Sequence, residues 1–256
     1  MYPSILISSL LIPLYEGQFN KISKTEFDSK EYYPYGLHHC IINKHKMKEV
    51  NNLFRFNDNN WYTHTDLKRA KELKLNITII ENTEYNFIYY NSSKCIKATD
   101  LFKNYVDILY KLRDKKIEGS KMLLSMLWGV LCEKRKAKYY INIDENFIIP
   151  DNHEILNIKH IDNNKITLHL SYNDNIYKTN YARMCPFLLS QARYNISSII
   201  EPYKNDVINC HTDCFTLSYL PDELKTGLNI GQLKYNGFCE NYNIKNCNNK
   251  TGIFLL

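Results

Sequence analysis

The sequence predicts an α+β fold in which blocks of β-like residues and blocks of helical residues alternate along the chain. Three observations predict it. Leu37–Ile42, Asn76–Ile80 and Tyr85–Tyr90 are short runs rich in Ile, Tyr and Phe between polar residues, the composition of strands in a half-buried sheet. Residues 100–136 carry apolar side chains at helical spacing on either side of a glycine, the pattern of two antiparallel helices joined by a short turn. No internal repeat or long low-complexity tract appears, which removes solenoids and arrays.

Taken in order, Met1–Leu14 reads as a strand end running into a buried helix, with Pro3 and Pro13 as punctuation. The apolar run Ile5–Leu14 is too short to span a bilayer, which takes roughly 20 residues. It also lacks the preceding positive charge and the small-residue cleavage site of a signal peptide. Residues 1–30 are the first part of the main domain, and residues 31–99 read as an inserted β-rich subdomain. Within the insertion Asn57-Asp58-Asn59-Asn60 is a polar break, and Thr65–Lys74 is a short helix with Thr65 as N-cap.

Residues 100–136 form the helical hairpin. Leu101, Tyr105, Leu109 and Leu112 share one face of its first helix, Asp100 is the expected N-cap, and Arg113, Lys115 and Lys116 crowd the last turn, where cations offset the helix dipole. Gly119 breaks the chain and Ser120–Lys136 forms the second helix. Residues 137–256 complete the main domain. There Ile141–Ile149, Ile155–His160 and Lys165–Leu170 suggest an antiparallel meander, Ala182–Ile200 a helix burying Phe187, Leu188, Ala192 and Ile196, and Asp206–Leu220 two strands with His211-Thr212-Asp213 at their turn.

A hydrophobic fraction of 44% and 21 tyrosines fit a folded protein, and the net charge of +6 fits a polyanionic partner. Eight cysteines are scattered without a C-x-x-C pair, which argues against a zinc site or a disulfide framework. Reduced thiols in an intracellular compartment are expected, and Asn76-Ile77-Thr78, Asn91-Ser92-Ser93 and Asn195-Ile196-Ser197 are then chance sequons.

Three stretches carry the functional signal: Tyr2-Pro3-Ser4, then Lys121-x-x-x-Ser125-x-x-Trp128-Gly129, then His211-Thr212-Asp213. In this order they resemble motifs A, B and C of family B DNA polymerases. Arg183-x-x-Pro186-Phe187-Leu188-Leu189-Ser190-x-Ala192-Arg193 resembles the helix before motif C in that family, and Ile230-Gly231-Gln232-Leu233-Lys234-Tyr235 the strand after it. The resemblance covers nearly the whole chain. It implies a polymerase palm, an antiparallel sheet backed by helices, with residues 100–136 as the fingers.

The family's chemistry is templated addition of dNTPs to a primer 3′-hydroxyl, with two carboxylates holding two magnesium ions about 3.5–4 Å apart. By resemblance Asp213 is one of them, the catalytic and metal residue; a turn aspartate bonding its own backbone is the structural alternative. His211 takes the place of the family's first motif C aspartate, and Cys214 that of a Ser or Gly. Aligning Tyr2-Pro3-Ser4 puts the motif A aspartate ahead of residue 1, so a partner polypeptide carrying that aspartate and the exonuclease domain is expected, and the isolated chain is expected to be inactive.

Tyr2 matches the tyrosine that packs under the deoxyribose, or is a buried strand residue. Lys121, Ser125 and Trp128 fall at i, i+4 and i+7 on one helix face. The resemblance has Lys121 binding the triphosphate, Trp128 stacking under the base pair, Gly129 admitting the duplex, and Arg113 as a further nucleotide contact. Trp128 is similar to its counterpart in the protein-primed and large-DNA-virus branches. Lys234 and Lys250 are the DNA-backbone candidates. Richness in Asn, Lys, Ile and Tyr is what AT-rich coding gives, as in a large DNA virus or mobile element, which would place the protein in host cytoplasm or nucleus, away from membranes. The alternative is a catalytically inactive, polymerase-derived scaffold or nucleic-acid-binding protein.

Overall fold

The computed structural model describes residues 2–174, 176–211, 214–246 and 249–255, with the side chains of Tyr2 and of residues 241–255 outside that description. The chain divides into a unit made of residues 1–108 and 186–256 and a unit made of residues 109–185. In the first, α1 (Tyr2–Leu6) is one turn that buries Ile5 and Leu6. The expected order, a strand end running into a buried helix, is reversed, since the helical turn comes first and a strand follows it. The Ser8 hydroxyl donates to the Ile5 carbonyl at 2.7 Å and accepts from the Leu10 N–H at 3.2 Å, ending the helix, and Leu11–Pro13 continues as strand β1.

β2 (Gln18–Asn20), α2 (Lys24–Asp28) and β3 (Gly36–Asn43) follow. Along β3, His38, Cys40 and Ile42 point inward and alternate with more exposed residues, the two-residue period of a half-buried strand. Glycine opens this strand because a Cβ at Gly36 would lie 2.2 Å from the Ile88 carbonyl oxygen, too close for any side chain. Next come α3 (Lys48–Asn51), β4 (Trp61–Thr63), α4 (His64–Glu72), β5 (Asn76–Ile79) and β6 (Phe87–Tyr89). The sheet runs β2-β6-β3-β4, with β5 on the far half of β3, and each pairing is antiparallel. The three expected β-like runs are β3, β5 and β6.

α4 is capped by Thr63, not by Thr65. The Thr63 hydroxyl accepts from the Asp66 N–H at 3.1 Å, and the Asp66 carboxylate accepts from the Thr63 N–H at 3.0 Å. Thr65 has Lys68 three residues on, which cannot close such a reciprocal box. Thr63→Ala should therefore cost about 1 kcal/mol in urea unfolding with an unchanged slope, whereas Thr65→Ala should stay within about 0.5 kcal/mol.

β7 (Cys95–Lys97) pairs with β1 and leads into α5 (Ala98–Asp114). The helix starts ahead of Asp100 because its first N–H groups already have backbone partners: Ala98 donates to the Leu10 carbonyl at 2.7 Å and Thr99 to the Ser8 carbonyl at 3.3 Å. Asp100 becomes a first-turn acid, placed well for the helix dipole. The buried stripe is Phe102, Val106 and Leu109, with Tyr105 exposed. Of the expected stripe, Leu109 is buried and Leu101 and Leu112 are partly buried. Phe102 and Val106, each one residue's rotation of about 100° further on, take the buried places expected for Leu101 and Tyr105.

In the unit of residues 109–185, Gly119 (φ 80°) separates α5 from α6 (Ser120–Leu131). The second helix stops short of Lys136 because the chain after it is laced to residues 176–179. Thr179 Oγ1 donates to the Leu131 carbonyl at 2.6 Å, Lys178 N–H to the Glu133 carbonyl at 2.9 Å, and Arg135 N–H to the Ile176 carbonyl at 2.8 Å. β8 (Lys136–Asn142), β9 (His153–His160) and β10 (Lys165–Tyr172) form an antiparallel sheet in the order β8-β10-β9, so β10 and not β9 is central. Leu168 and Leu170 from β10 pack with Ile141 to make its core, while β9 is exposed along nearly its whole length.

α7 (Met184–Ile200) buries Phe187, Leu188, Ala192 and Ile196 as its periodicity predicts, and Ile200 besides. β11 (Val207–His211) pairs with β12 (Cys214–Leu217), and β13 (Phe238–Asn246) with β14 (Asn249–Leu255). In the first unit, Ile196 and Ile200 join Phe27, Cys40, Leu67 and Phe87 in one core. A buried guanidinium fastens the same helix to α4. Arg69, 5% exposed, donates to Ser197 Oγ at 2.7 Å, to Glu72 at 3.1 Å and to Glu201 at 2.9 Å. Aromatic rings line the region behind β3: His38 stacks on Phe87 with centroids 4.3 Å apart, and Tyr35 on Phe187 at 4.6 Å and beside His64 at 4.5 Å.

Candidate functional site

α6 carries four of the expected site residues. Its sequence, SKMLLSMLWGVL, holds no proline and few β-branched residues, and a left-handed glycine at its start frees it from the preceding helix. Lys121, Ser125 and Gly129 lie one turn apart in a row, all exposed, with Trp128 half-buried beside them. The Ser125 hydroxyl donates back to the Lys121 carbonyl at 3.0 Å. A Cβ added at Gly129 would meet no heavy atom within 4 Å, so packing within the protein does not demand a glycine there. Met122, Met126 and Val130 form the adjacent row, also exposed. α6 thus shows an exposed apolar row beside an exposed polar one.

Arg113 is engaged at its own helix end. Its guanidinium stacks 3.8 Å from the centre of the Tyr110 ring and bonds the Asp114 carboxylate at 3.2 Å. Lys234 is exposed but sits in irregular chain after the Thr226–Leu233 bridge, not on the expected strand. Gly231 (φ 87°) and the Gln232 side chain, which accepts from the Asn229 N–H at 2.9 Å, fold that segment into a turn. Tyr2 lies on α1 and Lys250 on β14 opposite Ile244, their side chains outside the described residues. Asp213 and Thr212 lie outside the described residues altogether; their neighbours His211 and Cys214 are register partners at the ends of β11 and β12. Among the described residues, no group of three or more His, Cys, Asp or Glu could hold a metal ion.

One surface was not anticipated. Register partners share a sheet face, and on the face of β8-β10-β9 turned away from Leu168 and Leu170 stand Lys136, Lys138, Tyr140, His169 and Lys159, with Glu154 at one edge. Lys138 Nζ lies 4.5 Å from the Tyr140 ring centre. The signal was present in the alternation Lys136-x-Lys138-x-Tyr140, which places all three on one side of a strand. Exposed cations interleaved with an aromatic ring suit a phosphate backbone with a base to stack.

Among the described residues, no helix is long and apolar enough to cross a membrane. The sequence matches no protein-family model and no curated protein. Among solved structures, the chain is similar to phi29 DNA polymerase complexed with primer-template DNA (post-translocation binary complex), with a TM-score of 0.50 and 18% identity. The match covers 88% of this chain and 38% of that one, so the chain spans well under half of that polymerase. The likeness shows a distant polymerase-like fold.

Proposed function

We propose that this chain is the palm and fingers portion of a family B type DNA-directed DNA polymerase. In this reading α6 receives the incoming dNTP and the basic face of β8-β10-β9 contacts DNA. The observation that carries it is the exposed Lys121–Ser125–Gly129 row, which ends on a glycine with open space where a side chain would be. Lys121 supplies a cation for the triphosphate, and Trp128 an aromatic plane for the base pair. Asp213 would contribute one carboxylate to magnesium, which in this chemistry neutralises phosphate charge. A second polypeptide bearing the other carboxylate belongs to the proposal, and the role assigned to the chain's own residues is to bind and orient.

Anisotropy titration of a labelled primer-template tests this reading, at two salt concentrations and with or without dNTP. Affinity should fall steeply with salt. Reversing Lys136, Lys138 and Lys159 together to Glu should weaken binding at least about tenfold at low salt. Lys121→Ala should remove the added affinity that dNTP confers while leaving binding without dNTP unchanged. A salt-independent response, or no effect of the triple reversal, would overturn the DNA-binding part. Loss of the dNTP effect in no α6 variant would leave a nucleic-acid-binding scaffold as the better reading.

A further inference from the structure

Cys132 closes α6 and Cys185 lies in the first turn of α7, both within the unit of residues 109–185. Far apart in sequence, they meet in the fold. The Cys132 thiol shares a hydrogen bond with that of Cys185, and its sulfur lies 3.9 Å from the Ala182 carbonyl oxygen. This proximity is built in. The lacing of Leu131, Glu133 and Arg135 to Thr179, Lys178 and Ile176 holds the segment after α6 against the segment that leads into α7. Both thiols are half-buried, held in place yet within reach of a small reagent. The other candidates differ: Cys40 is buried, and Cys210 and Cys214 face Phe215 and His211 across their hairpin instead of each other.

We infer that Cys132 and Cys185 are a reversible dithiol–disulfide pair, oxidised by low-molecular-weight disulfides such as oxidised glutathione. One cysteine thiolate attacks a sulfur of the small disulfide, forms a mixed disulfide and releases one small thiol. The second cysteine then attacks the protein sulfur of that adduct, forms the Cys132–Cys185 bond and releases the second small thiol. The two protons given up by the cysteines end on the two released thiols, and the small disulfide takes the two electrons. The hydrogen bond with Cys185, and burial after it, push the Cys132 thiol up, so exchange is slow at neutral pH and faster in mild alkali. The new bond would tie the end of the helix carrying Lys121 and Gly129 to the start of α7 and close residues 133–184 into a loop.

The test is incubation of the full chain with oxidised glutathione at pH 8.5, alkylation of remaining thiols, and peptide mass mapping without reductant. A linked pair of peptides bearing Cys132 and Cys185 is expected, released by dithiothreitol and accompanied by an upward shift in melting midpoint of about 5 °C or more. Cys132→Ser and Cys185→Ser should each stop at a stable glutathione adduct on the cysteine that remains. Separate adducts on both cysteines of the unaltered chain, links to other cysteines, or a link that forms only in denaturant would each overturn the inference.

Discussion

Asn86→Leu should cost about 4 kcal/mol of folding stability, a large share of the roughly 5–15 kcal/mol that holds a typical domain together. The Asn86 side chain is fully buried. Its Nδ2 donates to the Ile22 carbonyl at 2.8 Å and the Ile80 carbonyl at 3.0 Å, and its Oδ1 accepts from the Ile22 N–H at 2.8 Å. Its backbone is committed as well, donating to the Asn20 carbonyl at 3.1 Å and accepting from the His39 N–H at 2.8 Å. One side chain thus serves backbone groups on two other segments that no strand partner reaches. Leucine keeps the shape and removes all three bonds, leaving an N–H and two carbonyls in apolar surroundings, at about 1–3 kcal/mol for each group left unpaired. Urea unfolding followed by circular dichroism measures it. Asn20→Ala, at an exposed position, is the control and should stay within about 0.5 kcal/mol. A loss under about 1 kcal/mol for Asn86→Leu would show that these groups find other partners.

Acid should destabilise the fold well before the carboxylates protonate. His38 is fully buried between aromatic rings, with Phe87, Phe27 and Tyr33 around it. Burial pushes its pKa from 6.5 down to about 4, with the bond from Nε2 to the Pro34 carbonyl opposing and nearby His64 and Lys30 adding to the shift. Burial also holds His64 down at about 4, against a bond to the Gly36 backbone. Both rings are neutral when folded, whereas the unfolded chain takes up their protons from pH 6.5 downward. The stability they contribute is therefore full above that value and is lost as pH falls toward 4, at about 2 kcal/mol per ring by pH 5. Unfolding free energies measured from pH 7 to pH 5 should show this decline. His38→Phe should remove about half of the slope, and a change at exposed His160 should leave it intact. A slope unaltered by both His38→Phe and His64→Phe would exclude the buried rings as its source.

Where one local period decides a structure, the sequence was readable. β3 and α7 follow from alternation and from helical spacing, and the Lys121–Gly129 row from spacing on one helix. Thr63 was also legible, since Thr-x-x-Asp can close a capping box and Thr-x-x-Lys cannot, although two threonines lie near the same helix start. The start of α5 was not legible, because its cap is the backbone of Ser8 and Leu10 from a remote turn. Nor was the central place of β10, since alternation marks which residues face a core but not which strand has two neighbours. Arg113 has the right charge on the right helix, yet Tyr110 and Asp114, one turn and one residue away, hold it locally. The meeting of Cys132 with Cys185 depends on hydrogen bonds between two irregular segments, which carry no periodicity to read.

The guanidinium of Arg69 also bears on the order in which a nascent chain can fold. Its partner Ser197 lies 128 positions downstream, so a ribosome adding about 5–20 residues per second delivers it roughly 6–25 s later. Until then Phe27, Leu67 and Phe87 lack the cover of Ile196 and Ile200. Residues 109–185 form one continuous segment, and among the described residues their sheet pairs only within itself. Vectorial synthesis therefore favours completion of the interrupting unit first, with the interrupted one left ajar until α7 leaves the exit tunnel.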